Sequence, residues 1–431
     1  MILFDGKTYE SSEQDRLLNE LESRIPDILS TKTLDPEVVI DAVDKLRIDT
    51  IAGKFDDLLA EFPKDMAEDY KAQALVLLSK EHLHKKLQTE LGNTEEYVTD
   101  HIEGFSRIRV KKAPLGVLFH ISAGNMDFLP AYSLAEGLLT GNINILKLPS
   151  ADNGLSLKLI MQLIEYRPEL KDFIYVFDTA SSDIQGMRKM AELCNVISIW
   201  GSDMAIEAVR GLAPPGVKII EWGQKLGFCY ISKQSDMPDL DKELEGLAKH
   251  IATTKQLLCS SCQVIYLDTS DMGELRSFAE RFLPVLEKAA NEKATEEIGI
   301  RARDTLSSYT RRLKTYLGNE EKNENVIRGK GVSLIISSDS KLELSPMMCN
   351  VLIKPLPRES ITKVLYGSRY HLQTAGLICP SNDREELTEI FIKGGLIRVT
   401  KAANMSAYFP GECHDGEYAL NRYTRNINIE V

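Results

Sequence analysis

Residues 114–150, PLGVLFHISAGNMDFLPAYSLAEGLLTGNINILKLPS, constrain this chain more than any other stretch. They read as an apolar strand, a Gly-containing turn, a helix, a Gly-Asn turn and a second apolar strand. Two strands joined through a helix run parallel, and the right-handed crossover lays the helix on one face of their sheet. Asn125 falls in the first turn and Lys147 at the end of the second strand. The carboxyl ends of parallel strands are where an open α/β sheet builds its ligand crevice.

The same alternation continues on both sides. From 106 to 232 strands are expected at 117–122, 142–149, 173–178, 196–201 and 218–223, with helices at 129–139, 154–166, 183–193 and 203–213. Alternation of this kind gives a mostly parallel sheet covered by helices on both faces. A second alternating region spans 233–405, with helices at 239–254 and 274–299 and strands at 263–268, 332–337, 350–356, 374–379 and 396–400. Residues 1–105 are charged and carry apolar residues at three- and four-residue spacing, which predicts a helical part of the first domain. The polar stretch 317–331 reads as a surface excursion. The tail, RYTRNINIEV, alternates like a strand; it pairs either with an edge of its own chain or with another subunit.

Composition narrows the function classes. At 431 residues the chain exceeds a single ordinary core, so two or more domains are expected. A net charge of −12 and the lack of an aromatic-laced basic face argue against nucleic acid as partner. No run approaches the ~20 apolar residues that span a bilayer, and the N-terminus lacks a secretory pattern; a cytoplasmic protein is expected. Seven cysteines, an odd number scattered through apolar segments, fit reduced thiols.

Three segments can carry chemistry. In KQLLCSSCQ (255–263) a nucleophilic thiol at Cys259 would sit among small neighbours that let a substrate approach. Cys262 suits a buried structural thiol, and no second Cys/His pair completes a zinc site, so no metal is expected. In IIEWGQKLG (219–227) Glu221 ends an apolar strand, either as a general base or as a carboxylate bonded to the turn's N–H groups. In WGSDMAIEAVRG (200–211) Gly201 and Ser202 open a helix, where Ser202 caps it or the free N–H groups face a phosphate. Neither GxGxxG nor GxxxxGK[ST] occurs.

Taken in order, these segments resemble the aldehyde dehydrogenase superfamily over most of 106–431. PLGVLFHISAGN and GLLTGNINILKLPS are similar to its first cofactor-binding strands, WGSDMAIEAV to its Gly-Ser turn, EWGQK to its Glu segment and KQLLCSS to its nucleophile segment. ELSP (343–346) resembles a shortened Glu-containing strand entry, and YFPGECHDGEYALNRYT (408–424) the Gly-rich C-terminal flap. Within the superfamily the likeness is to the long-chain fatty acyl-CoA reductases. Two departures stand out: Leu257 lies where the superfamily often has Gln, with Gln256 one position off, and Gly-Gln replaces Gly-Gly after Glu221 and Trp222.

The resemblance implies an α/β fold of aldehyde dehydrogenase type. It has a helical part (1–105), a Rossmann-like cofactor domain (106–232), a catalytic domain (233–405), and a C-terminal flap with an oligomerisation strand (406–431). It implies NADPH-dependent reduction of a fatty acyl-CoA to the aldehyde through a thioacyl-Cys259. Asn125 and the Cys259 N–H would supply the oxyanion donors, with Glu221 near the thiol. Lys147, Gly201, Ser202 and Glu343 would grip the cofactor. No acid follows Lys147 at three or four residues, where NAD-preferring members often hold ribose with Glu; this favours NADPH, with Lys147 against the 2′-phosphate. The expected partners are an acyl-CoA or acyl-carrier substrate, an acyl-transferring enzyme and a second copy of the chain. Competing readings are a CoA-acylating short-chain aldehyde dehydrogenase, an acyl-phosphate reductase, an acyl-Cys acyltransferase without hydride transfer, and a catalytically dead scaffold.

Overall fold

A computed structural model describes residues 1–59, 71–72, 75–92, 95–97, 108–122, 129–149, 154–232, 237–293, 325–409 and 411–430. The chain divides into two compact units, Met1–Gly223 with Phe409–Val431, and Gln224–Tyr408.

The first unit opens with a feature that the helical reading of 1–105 does not contain. Strands β1 (Ile2–Phe4) and β2 (Lys7–Tyr9) form an antiparallel hairpin. Its turn is Asp5-Gly6, both with positive φ (50° and 71°). Asp-Gly is the pair that such two-residue hairpin turns select. Helices follow at Gln14–Thr31, Pro36–Ile51 and Lys80–Leu91. Asp35 starts the second by accepting from the Glu37 N–H, with Pro36 at the first helical position.

Short strand β3 (Glu95–Tyr97) and strand β4 (Ile108–Pro114) lead into the expected alternation. Strands β5 (Val117–Ile121), β6 (Ile143–Lys147), β7 (Ile174–Phe177), β8 (Val196–Trp200) and β9 (Lys218–Trp222) are parallel, in the order β7-β6-β5-β8-β9. The strand order reverses at β5, so the crevice of this sheet lies at the carboxyl ends of β5 and β8. β5, β6 and β7 are buried throughout, as expected of strands covered on both faces. Their buried polar side chains satisfy one another: His120 meets Ser133 Oγ at 2.8 Å and Asn144 Oδ1 at 3.0 Å.

In the second unit, β10 (Leu226–Ile231), β11 (Cys262–Leu267), β12 (Asn325–Gly329), β13 (Val332–Ile336), β14 (Asn350–Pro355), β15 (Leu372–Ile378) and β16 (Arg398–Lys401) form one sheet. The order is β12-β13-β14-β11-β10-β15-β16, with only the edge strand β12 antiparallel. Two findings depart from the expectation. β10 is an interior strand of this sheet, between β11 and β15, so residues 224–232 open the second unit instead of closing the first; a continuous apolar run does not reveal which sheet it joins. β12 also lies inside the stretch read as a surface excursion; as an edge strand it tolerates polar residues that a central one would not. The tail, β17 (Thr424–Glu430), pairs antiparallel with β4 of its own chain, giving a three-stranded sheet with β3.

Candidate active site

The cysteine turn of the second unit is built by its backbone. Helix Leu240–Thr254 ends in Lys255 and Gln256, both left-handed (φ 47° and 63°). The Leu258 N–H then donates to Ser261 Oγ (3.1 Å), and the Ser261 N–H donates back to Leu258 O (3.0 Å). Cys259 and Ser260 form the tip of this closed turn, and Ser260 Oγ meets Ser406 Oγ at 2.8 Å. Cys259 is exposed, whereas Cys262, three residues on, is fully buried at the start of β11. Burial pushes the Cys262 thiol up to about 12. Only the thiolate is nucleophilic, so of the two thiols the turn offers Cys259.

The floor beneath the turn is Gly227 of β10. A Cβ there would stand 2.7 Å from Ser261 O and 2.8 Å from Ser260 O, both backbone atoms that no side-chain movement relieves. Behind the turn, the Cys262 N–H donates to His250 Nε2 (3.3 Å). That bond needs an unprotonated Nε2. Burial, aided by Arg398, lowers the His250 pKa to about 4, which keeps the ring neutral. Glu343 is held by the Lys354 ammonium at 2.5 Å, and Asp339 by the same group at 2.8 Å. Lys354 is fully buried on β14.

The crevice end of the first unit's sheet has a different character. Lys147 ends β6, is buried, and donates to Ser181 Oγ at 3.0 Å. Burial lowers its pKa and the nearby Asp178 charge opposes that shift. Ser202 caps helix Asp203–Arg210 by accepting from the Ala205 N–H at 3.4 Å. Gly201 lets the helix start tight against the strand; a Cβ there would lie 3.1 Å from Ala205 Cβ. Glu221 on β9 is engaged by Arg210 through two bonds, of 2.5 and 2.8 Å. Asn125 lies outside the described residues.

Two buried polar atoms here have no hydrogen-bond partner among the described residues: Ser122 Oγ, just past β5, and Trp200 Nε1, at the end of β8. Trp200 stacks on Trp222 with ring centres 5.2 Å apart, and His414 leans on both. An unspent hydroxyl, an unspent indole N–H and a buried ammonium at one sheet end fit an anionic ligand that also carries hydroxyl or amide groups, as a nicotinamide dinucleotide does. Among the described residues no group of three or more His, Cys, Asp or Glu is arranged to hold a metal.

Sequence reasoning singled out Cys259, Lys147, Gly201 and Ser202. It passed over Gly227, Ser261, Ser122 and Trp200, whose roles depend on which strands adjoin. The only advance signal was the run of small residues after Leu258.

A family model described as acyl-CoA reductase (LuxC) matches residues 38–426. The chain belongs to this acyl-CoA reductase family. Relatives include the long-chain acyl-protein thioester reductase of Vibrio harveyi, 22% identical over 367 residues (83% of this chain, 72% of the relative). That of Photorhabdus laumondii subsp. laumondii is 27% identical over 376 residues, with the same coverage of both chains. Among solved structures, apo betaine aldehyde dehydrogenase from Staphylococcus aureus superposes with a TM-score of 0.71, at 14% identity, over 97% of this chain and 87% of that one. The NADP-dependent glyceraldehyde-3-phosphate dehydrogenase of Bacillus halodurans C-125, solved with NADP, gives 0.70 at 16% identity, over 97% and 91%. The fold of this acyl-CoA reductase family member is therefore that of the aldehyde dehydrogenases, and family and fold together make it an oxidoreductase. Among the described residues no helix is long and apolar enough to cross a membrane.

Proposed function

We propose that this chain reduces a long-chain fatty acyl thioester, carried on CoA, to the aldehyde with NADPH, through a thioester on Cys259. The observation that carries the reading is the contrast between an exposed Cys259 on a closed turn and a sealed Cys262. The Cys259 thiolate attacks the acyl carbonyl, and the CoA thiolate leaves and takes up a proton. The backbone N–H of Cys259 and the Asn125 amide are assigned to the oxyanion. When bound, a reduced nicotinamide supplies the hydride for the acyl carbon. Release of the aldehyde returns Cys259 to the thiolate.

Lys147, Ser122 and Trp200 are assigned to the cofactor, with Lys147 facing the 2′-phosphate. Gly201 and Ser202 are assigned to the turn beneath it, and Glu343 to its ribose. Glu221 has no water to activate in the reductive direction, and its pairing with Arg210 supports an electrostatic part. A dimer or larger homo-oligomer is supported by β17, an outer strand with four successive exposed residues.

The relatives' names point to a second acyl source, an acyl group carried on a protein. A panel of acyl-CoA chain lengths, with NADPH or NADH and aldehyde detected as product, tests the proposal. Aldehyde formation from long chains, faster with NADPH, is expected. A strong preference for NADH would overturn the assignment of Lys147. Acyl transfer to water or another thiol without nicotinamide oxidation would replace reduction with acyl transfer.

A further inference from the structure

We propose that Gln256 is a positioning residue for Cys259, pinning the turn that carries it to the segment 345–349 of the same unit. This rests on Cys259 being the nucleophile.

A helix that ends in the left-handed region ordinarily does so at glycine, which has no Cβ to clash. Here Lys255 and Gln256 take that conformation in succession. So do Met347, Met348 and Cys349, with φ of 65°, 51° and 62°. The two runs touch: the Met348 N–H donates to Lys255 O at 2.9 Å. Side-chain-bearing residues stay in this region only where their surroundings over-determine them, and such places cluster at functional sites.

The bonds that over-determine this one converge on Gln256, which is fully buried. Its Nε2 donates to Cys262 O and to Ser345 Oγ, each at 2.9 Å. Its backbone O accepts from Gln263 Nε2 at 2.9 Å. Gln263 Oε1 accepts from Ser345 Oγ at 2.8 Å, and the Met347 N–H donates to that same Oγ at 3.0 Å. The cysteine turn is thus bound from both sides, through Gln256 before it and Cys262 after it. Gln256 Oε1 is buried with no partner among the described residues. A buried acceptor left unsatisfied needs an explanation, and holding both Nε2 bonds at once supplies one: the other end of the amide has nowhere else to point.

The test measures burst acylation of the full chain by palmitoyl-CoA without reductant, followed by intact mass, beside kcat and KM and the rate of alkylation by iodoacetamide. Gln256→Met keeps the volume and removes the side-chain bonds. Its acylation rate and kcat are expected to fall about 10- to 100-fold, the range for a misplaced reacting group. KM should stay within about twofold, because substrate binding is not what was removed. Alkylation by the small reagent should change less than about threefold, since the thiol stays exposed.

Ser345→Ala should move acylation the same way, and the double variant should be no slower than Gln256→Met, because both remove one network. Lys255→Gly relaxes the neighbouring left-handed residue and leaves the Gln256 bonds in place, so it should acylate at the wild-type rate. If Gln256→Met does not fold, Ser345→Ala decides: a wild-type rate there overturns the proposal. Wild-type acylation in Gln256→Met, or equal slowing in Lys255→Gly, overturns it as well. Cys259→Ala separates the two levels. Loss of acylation in Cys259→Ala with wild-type rates in the Gln256 variant sinks the positioning role alone, whereas acylation that survives Cys259→Ala sinks both.

Discussion

The cysteine turn and the Lys147 crevice are both built on parallel sheets, yet they differ in how far their hydrogen bonds are spent. The turn sits at the amino end of β11, and Leu258, Ser261 and Gln256 lock it into one geometry, in which Gln256 Oε1 alone of that side chain's polar atoms has no partner among the described residues. The crevice sits at the carboxyl ends of β5, β6 and β8, where Ser122 Oγ and Trp200 Nε1 have no partner among the described residues. A nucleophile gains from being fixed, because reaction rate depends steeply on where the attacking atom stands. A cofactor cradle gains from unspent capacity, because each polar group it holds back is one the ligand can satisfy.

If the turn is the fixed region, crowding it should have the largest effect. Gly227→Ala places a methyl group against two backbone carbonyls. It should lower kcat about 100-fold and cost roughly 1–3 kcal/mol of stability. Steady-state rates and a urea melt would check this; a variant with normal kcat would show that the turn tolerates displacement.

Stability, as distinct from rate, should show a response to acid that both units share. Each holds a buried neutral histidine behind its site, His120 in the first and His250 in the second, with burial lowering each pKa to about 4. Unfolded histidine titrates near ~6.5, so between these values the unfolded chain binds more protons. Stability is then fully present above about pH 6.5 and is lost as pH falls toward about 4, by on the order of 3 kcal/mol per histidine. Melting temperature followed across that window should fall steadily; a flat profile would mean that these rings are charged or solvated when folded.

The smallest expected effect lies in the crevice. Lys147→Met removes the ammonium and keeps most of the volume. It should raise KM for NADPH about tenfold, the loss of one modest charge contact, with little change for NADH and in the acylation burst. Equal losses with both cofactors would mean that Lys147 supports the strand end instead of meeting a phosphate.

Much of the first sheet is readable from the chain alone, because β5 to β9 are short apolar runs separated by amphipathic helices. The hairpin at Asp5-Gly6 was equally marked by its turn pair, but the charged helical pattern after it dominates the reading of the first hundred residues. Only three residues separate β10 from β9, so nothing local shows that the chain has changed sheets. At the site, the small neighbours of Cys259 favour it over Cys262 in the sequence, and the structure adds that Cys259 is exposed and Cys262 buried. The parts played by Gly227 and Gln256 are contacts between segments distant in the chain: Gly227 faces Ser260 and Ser261, and Gln256 reaches Ser345. Such roles exist only once the strands are paired.

Peptide mapping of the protein after incubation with palmitoyl-CoA, without nicotinamide, tests the account most directly. An acyl adduct on Cys259, absent from Cys262 and discharged as aldehyde when NADPH is added, is the predicted result. An adduct on Cys262, or NADPH-dependent aldehyde formation by a Cys259→Ala protein, would contradict it.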